Sequence, residues 1–127
     1  MSKQKIIVFG KSGQLGSALH ALGQSNCAFE IKVVGRPEGD LTNHVNIRDL
    51  LLSEKPAGII NAAAYTAVDD AEEDEANAFA LNAEAPHWLA TFAKGLGIPL
   101  IHISTDYVFN GKKHTPYSPE DDIAPIN

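Results

Sequence analysis

Cysteine is nearly missing from this 127-residue sequence: Cys27 stands alone, so no internal disulfide framework can form. A lone thiol fits a reducing compartment. Basic charge is also scarce, with 10 Lys and Arg against 16 Asp and Glu and a formal net charge of −6. That balance argues against the basic face needed to grip nucleic acid or an anionic membrane. Any anionic ligand must then be held by backbone dipoles and a few placed cations. Long apolar runs are absent as well. The run after Met1 is too short for a signal-peptide core, and nothing approaches the roughly 20 residues of a membrane span, so a cytoplasmic protein is expected. The five histidines, His20, His44, His87, His102 and His114, form no i, i+4 pair and have no cysteine beside them, which argues against a zinc site. There is no internal repeat and no low-complexity linker. With 44% hydrophobic residues, the chain has room for one globular domain spanning residues 1–127.

The organising stretch is K-I-I-V-F-G-K-S-G-Q-L-G, residues 5–16. An apolar run stops at Gly10, glycines recur at Gly13 and Gly16, and an amphipathic pattern begins with Leu15, Ala18, Leu19 and Leu22. This predicts strand, tight turn and helix. In such a turn Gly10 and Gly13 let a pyrophosphate approach the backbone, the first helical N–H groups point at it, and Gly16 lets helix and strand pack closely. The alternative is a plain structural turn. A Walker A loop is excluded, because Gly10-Lys11-Ser12 would need a further glycine where Lys5 stands.

Further along, F-E-I-K-V-V (residues 29–34) alternates and ends at Gly35-Arg36-Pro37, a second strand; residues 23–28 before it form a loop. Asn46 is expected to cap a helix running to Glu54, stopped by Pro56. G-I-I-N (58–61) predicts a short buried third strand. Residues 68–97 are helical in composition, interrupted near residues 82–86 and ended by Gly95 and Gly97. P-L-I-H-I-S (99–104) predicts a fourth strand, and the proline- and glycine-rich remainder is loop. Strands alternating with helices imply a Rossmann-like, doubly wound parallel α/β sheet with the four strands in the order 3-2-1-4, the first half of a larger sheet. Ligands then bind at the carboxyl edge, where Gly10, Gly35, Asn61 and Ser104 fall.

Arg36 lies where the ribose-reading residue follows the glycine turn. A guanidinium there suits the 2′-phosphate of NADPH, whereas an acidic residue would suit NADH; the alternative is an exposed loop arginine. Asn61 is followed by Ala62, Ala63 and Ala64, thin walls for a nucleotide, with Tyr65 and Thr66 as a polar rim; tight core packing would also account for the alanines. The acidic run at residues 69–75 is best explained by the positive end of a helix dipole, without a metal. Ser104, Thr105 and Asp106 emerge beside the expected nicotinamide position, where a substrate carbonyl needs a hydrogen-bond donor. A capped turn is the competing explanation for that stretch.

These segments together resemble a known family, the extended short-chain dehydrogenases and, within them, the dTDP-4-dehydrorhamnose reductases. The resemblance rests on F-G-K-S-G-Q-L-G (9–16), N-A-A-A-Y-T-A-V-D (61–69), S-T-D-Y-V-F-N-G (104–111), P-Y at residues 116–117 and the closing P-I-N. It implies reduction of a dTDP-4-keto-6-deoxy-L-sugar to dTDP-L-rhamnose with NADPH or NADH. It also implies cofactor contacts from Gly13, Gln14, Leu15, Asp40, Leu41, Ala64, Tyr65 and Thr66, and sugar contacts from Thr105 and Asp106, with Thr105 as the catalytic hydroxyl.

The sequence departs from the family in two places. The family's proton donor is a tyrosine with a lysine four residues on, in the run P-x-N-x-Y-G-x-x-K. Tyr65, Tyr107 and Tyr117 have no such lysine. The expectation is an amino-terminal, cofactor-binding part of a longer enzyme, without the proton donor or a substrate domain and inactive by itself. Its fourth strand would leave an apolar edge and favour self-association unless another chain covers it. Some family members also use a magnesium ion held by a glutamate early in the first helix, and here that residue is Ala18. A different class of function, a non-catalytic NADP-binding regulator similar to the methionine adenosyltransferase beta subunit, shares much of the motif set.

Overall fold

The computed structural model describes residues 2–25 and 28–127. Cys27 and the middle of the predicted loop at 23–28 lie outside the described residues. Four parallel strands form one sheet: β1 (Gln4–Phe9), β2 (Phe29–Val34), β3 (Gly58–Asn61) and β4 (Leu100–His102). Between them run α1 (Gln14–Gln24), α2 (His44–Glu54), α3 (Val68–Glu73), α4 (Glu75–Phe79) and α5 (Ala85–Leu96), with a π-helical turn at Ala80–Glu84 leading into α5. The spans expected for β2 and β3 are those observed.

The α/β doubly wound class holds, but the strand order is β2-β1-β3-β4 rather than 3-2-1-4. Burial patterning gives the reason. β2 alternates Glu30 and Lys32 with apolar residues and is exposed at its start, as suits an edge strand. β3 has Gly58, Ile59 and Asn61 all buried, and such a strand needs a partner on both sides. The crossover through α2 therefore carries the chain back over β1 to its other edge. α1 covers β1 and β2 on one face, while α2 and α5 pack together on the other.

That second face holds the core: Ile7, Phe9, Val34, Leu41, Ile47, Leu51, Ile59, Ala85, Leu89 and Ala93. In α5 the buried residues recur every four positions, Ala85, Leu89 and Ala93, one stripe of a helix. Pro86 opens this helix and Gly97, at φ 66°, closes it.

Local signals shift by a few residues. The cap of α2 is Asn43, not Asn46: its side-chain oxygen accepts from the Asn46 N–H at 3.1 Å. Asn46 itself uses its side-chain oxygen to accept from the Asp40 N–H at 3.2 Å, so the earlier asparagine is free for the cap. The interruption expected near residues 82–86 is the π-helical turn, through which the helix continues into Pro86. A true break comes earlier, at Asp74, between α3 and α4. β4 covers Leu100–His102 rather than the expected 99–104, because its partner β3 ends at Asn61 and offers no residue beyond the Asn61–His102 pair.

Candidate coenzyme crevice

The order β2-β1-β3-β4 makes the connections leaving β1 and β3 run in opposite directions, which makes the carboxyl ends of these two strands the candidate ligand crevice, the usual position in such sheets. Gly10 leaves β1 with φ 108°, in the region glycine favours. A Cβ on Gly10 would stand 2.7–2.8 Å from the backbone of Ala62 and Ala63. The glycine turn and the alanine segment after β3 are thus brought into direct contact. The Ala62 N–H also donates to the Phe9 carbonyl at 2.9 Å, and the N–H groups of Gly10 and Lys11 both donate to Val34 O.

Gly16 is buried under this turn, and a side chain there would collide with the Gly10 carbonyl oxygen. Gly13 is different. It is exposed, and a Cβ would meet only Gly10 O at 3.7 Å and Ala62 O at 4.0 Å. The fold permits a side chain at Gly13, so its absence leaves room for something outside the chain. Gln14 and Leu15 open α1 on the exposed side. The N–H groups of Gln14, Leu15 and Gly16 have no hydrogen-bond partner among the described residues, and no acidic side chain occupies the first turn. These three donors at the positive end of an 11-residue helix suit a pyrophosphate.

At the end of β2, Arg36 is exposed and makes no ion pair within 4 Å among the described residues. Asp40 is partly buried, and its Oδ1 accepts from the Thr42 hydroxyl at 2.7 Å and the Thr42 N–H at 3.0 Å. The Thr42 hydroxyl, then its N–H and the Arg36 charge, hold the Asp40 carboxyl below its ordinary range against the opposing effect of burial. Leu41 is 5% exposed and belongs to the core, so only its backbone is available to a ligand.

On the β3 side, Ala63 is partly buried, Ala64 and Thr66 are exposed and Tyr65 lies between. Asn82, in the π-helical turn, clamps the Tyr65 backbone from both ends: the Tyr65 N–H donates to Asn82 Oδ1 at 2.8 Å, and Asn82 Nδ2 donates to Tyr65 O at 3.1 Å. Sequence reasoning missed this clamp: Asn82 is one of two asparagines in the helical stretch, and only its place in a π-helical turn, a feature frequent at functional sites, sets it apart. The Tyr65 hydroxyl donates to Asp74 Oδ2 at 3.3 Å. Loss of solvation pushes this phenol upward, and the negative charges of Asp74 and Asp70 add to the effect, so Tyr65 is a poor proton donor at neutral pH.

Beyond β4, the Ile103 N–H donates to Asn61 O at 3.2 Å, which delivers Thr105 and Asp106 to the same carboxyl edge. Both are exposed. The Thr105 Oγ1 accepts from the Tyr107 N–H at 3.1 Å, and its hydroxyl reaches Asp106 Oδ1 only at 3.5 Å. The turn expected as the bland explanation is present, yet it leaves the Thr105 proton weakly engaged and open to a ligand oxygen. Among the described residues no group of three His, Cys, Asp or Glu side chains could hold a metal ion, and no helix is long and apolar enough to cross a membrane.

Comparison with known proteins finds reductases that share this fold. A dTDP-4-dehydrorhamnose reductase of Sinorhizobium fredii is 44% identical over 123 residues, 97% of this chain and 41% of that protein. The crystal structure of a dTDP-4-dehydrorhamnose reductase from Bacillus anthracis in complex with NADP superposes with a TM-score of 0.89 at 33% identity, covering 98% of this chain and 45% of that one. The corresponding structure from Clostridium acetobutylicum gives 0.88 at 34% identity, over 96% and 43%. The chain thus spans about two fifths of the length of the curated relatives it matches. The family described as "RmlD substrate binding domain" matches residues 4–127, and the chain belongs to that family.

Proposed function

We propose that this chain is the coenzyme-binding part of an NADPH-dependent reductase that converts dTDP-4-dehydro-L-rhamnose to dTDP-L-rhamnose in a reducing cytoplasm. The observation that carries the reading is the cradle at the start of α1: three unpartnered N–H groups beside Gly13, in the crevice where Gly10 meets Ala62 and Ala63. The named relatives and the NADP complex of a 33% identical structure support it.

In this reading the N–H groups of Gln14, Leu15 and Gly16 hold the pyrophosphate, with Gly10 and Gly13 giving it access. Arg36 faces the 2′-phosphate, and Asp40 and the Leu41 backbone border the adenosine; NADH is accepted without the contact to Arg36. Ala63, Ala64, Tyr65 and Thr66 wall the nicotinamide half. When bound, the coenzyme supplies a hydride to the substrate carbonyl carbon. Thr105 donates its hydroxyl proton as a hydrogen bond to the sugar oxygen, while the Tyr107 N–H orients that hydroxyl from behind. Asp106 accepts from a neighbouring sugar hydroxyl.

No tyrosine here has a lysine four residues on, so the tyrosine–lysine proton donor that the family resemblance implies is not among these 127 residues. The same observation favours a second reading, an NADP-binding subunit without catalysis. Titration of the 127-residue chain with NADPH, followed by coenzyme fluorescence, tests the binding. Saturable binding is expected, weakened about ten- to hundredfold by Gly13→Ala through loss of charge-assisted backbone hydrogen bonds. Absence of binding would refute the proposal. NADPH oxidation with the keto sugar is expected to be negligible for this chain alone; turnover at the rate of a complete reductase would overturn that part.

A further inference from the structure

At the carboxyl ends of β3 and β4 the ladder pairs Asn61 with His102. Ile59 and Leu100, two residues earlier, both face the core, so Asn61 and His102 share that face. Asn61 is fully buried and His102 exposed. The Asn61 Oδ1 accepts from the Ala63 N–H at 3.2 Å, and its Nδ2 lies 3.1 Å from His102 Nδ1. These two contacts determine the proton positions. A backbone N–H can only donate, so the amide oxygen must be the atom turned to Ala63 and the amide nitrogen the one turned to the ring. His102 Nδ1 must then accept, which puts the imidazole proton on Nε2.

Ala63 belongs to the segment whose backbone stands 2.7–2.8 Å from where a Gly10 Cβ would be, so a small shift of that segment changes the crevice. Asn61 meanwhile holds β4 through its own carbonyl, which accepts from the Ile103 N–H. We propose that His102 is a positioning residue. By accepting from the buried Asn61 amide it keeps the amide oxygen on the Ala63 N–H, fixes the alanine wall of the crevice against the glycine turn, and links that wall to the strand delivering Thr105 and Asp106. Its effect on coenzyme affinity rests on the reading that the crevice holds the coenzyme.

The test uses the whole 127-residue chain, isotope-labelled for NMR. In the wild type the His102 ring is expected to carry its proton on Nε2, with the Ala63 amide protected from hydrogen exchange. His102→Gln retains an acceptor and should keep both the Ala63 protection and NADPH affinity within about twofold. His102→Leu leaves the buried Asn61 amide without an acceptor, so Ala63 should exchange faster and NADPH bind about tenfold more weakly. Asn61→Asp offers the ring no donor, and the imidazole proton should appear on Nδ1. A wild-type proton on Nδ1 overturns the proposal, and so does identical Ala63 exchange in the Gln and Leu variants. If the wild type binds no NADPH, the functional reading falls, while the ring and Ala63 signals still decide the positioning role.

Discussion

Gly13 and Gly16 lie three residues apart in the same turn and serve different purposes. Gly16 is required by the fold, since its place is taken up to contact distance by the Gly10 carbonyl. Gly13 is not required by packing, since a Cβ there would meet nothing closer than Gly10 O at 3.7 Å. Gly16→Ala should therefore cost stability near the upper end of about 1–3 kcal/mol, because backbone on backbone cannot relax as side chains do. Gly13→Ala should cost about 1 kcal/mol, because alanine is a poorer N-cap than glycine. Urea unfolding midpoints of the two variants check this, and equal losses would show that both glycines are structural. The glycine spacing was legible in sequence, but this division of labour was not, because it depends on the position of the Ala62 and Gly10 backbones. Thr105 and Asp106 were legible as a polar pair; the long 3.5 Å bond that leaves the hydroxyl available was not.

At the scale of elements, β1, β2 and α2 are joined by Glu54. It sits in the last turn of α2, where a negative charge opposes the helix dipole at a cost of about 0.3–1 kcal/mol. Two hydrogen-bonded lysines outweigh that cost: Lys5 at 2.7 Å and Lys32 at 2.8 Å, with Glu54 only 21% exposed. Glu38 also binds Lys32, at 2.6 Å. Hydrogen bonds from Lys32 and then Lys5 hold the Glu54 carboxyl below its ordinary 4.5. The Glu54 bond to Lys5, and the Glu38 and Glu54 bonds to Lys32, raise both ammonium groups above 10.5. A lowered carboxyl stabilises the fold fully above its unfolded value and loses the contribution as pH falls through the folded one. A raised ammonium stabilises fully below its unfolded value and loses the contribution as pH rises through the folded one. Glu54→Gln should thus cost about 1 kcal/mol across a plateau from about pH 5 to 10. The gap to wild type should close below 4.5 and above 10.5. Denaturant midpoints over pH measure it, and a gap that does not narrow at all as pH falls below 4.5 would contradict the ion-pair account.

On the scale of the whole molecule, the two faces of the sheet are covered unequally. α1 touches β1 and β2 but neither β3 nor β4. On that face Ile101 is 56% and Ile103 46% exposed, and among the described residues β4 pairs only with β3. An apolar strand at a sheet edge invites pairing with another copy. Sedimentation of the 127-residue chain should show association that grows with concentration and is reduced by Ile101→Lys with Ile103→Lys. A wild-type monomer at high concentration would count against the edge as a contact surface. The sequence foretold a polar carboxyl edge and an apolar fourth strand. It did not reveal which strand lies beside which, although the charged alternation of β2 and the uncharged G-I-I-N of β3 carried the signal for edge and centre.

Sequence alone determined the elements, the glycine turn, the small-residue segment and the family resemblance, because each depends on residues close together in the chain: period, spacing, and the conformations open to glycine, proline and asparagine. Only the tertiary structure decided the strand order, the contact of Gly10 with Ala62, the Asn82 clamp on Tyr65 and the Asn61–His102 pair. Those depend on long-range registry, in which a buried polar group takes whichever partner the packed sheet brings to it, and no local pattern encodes that choice.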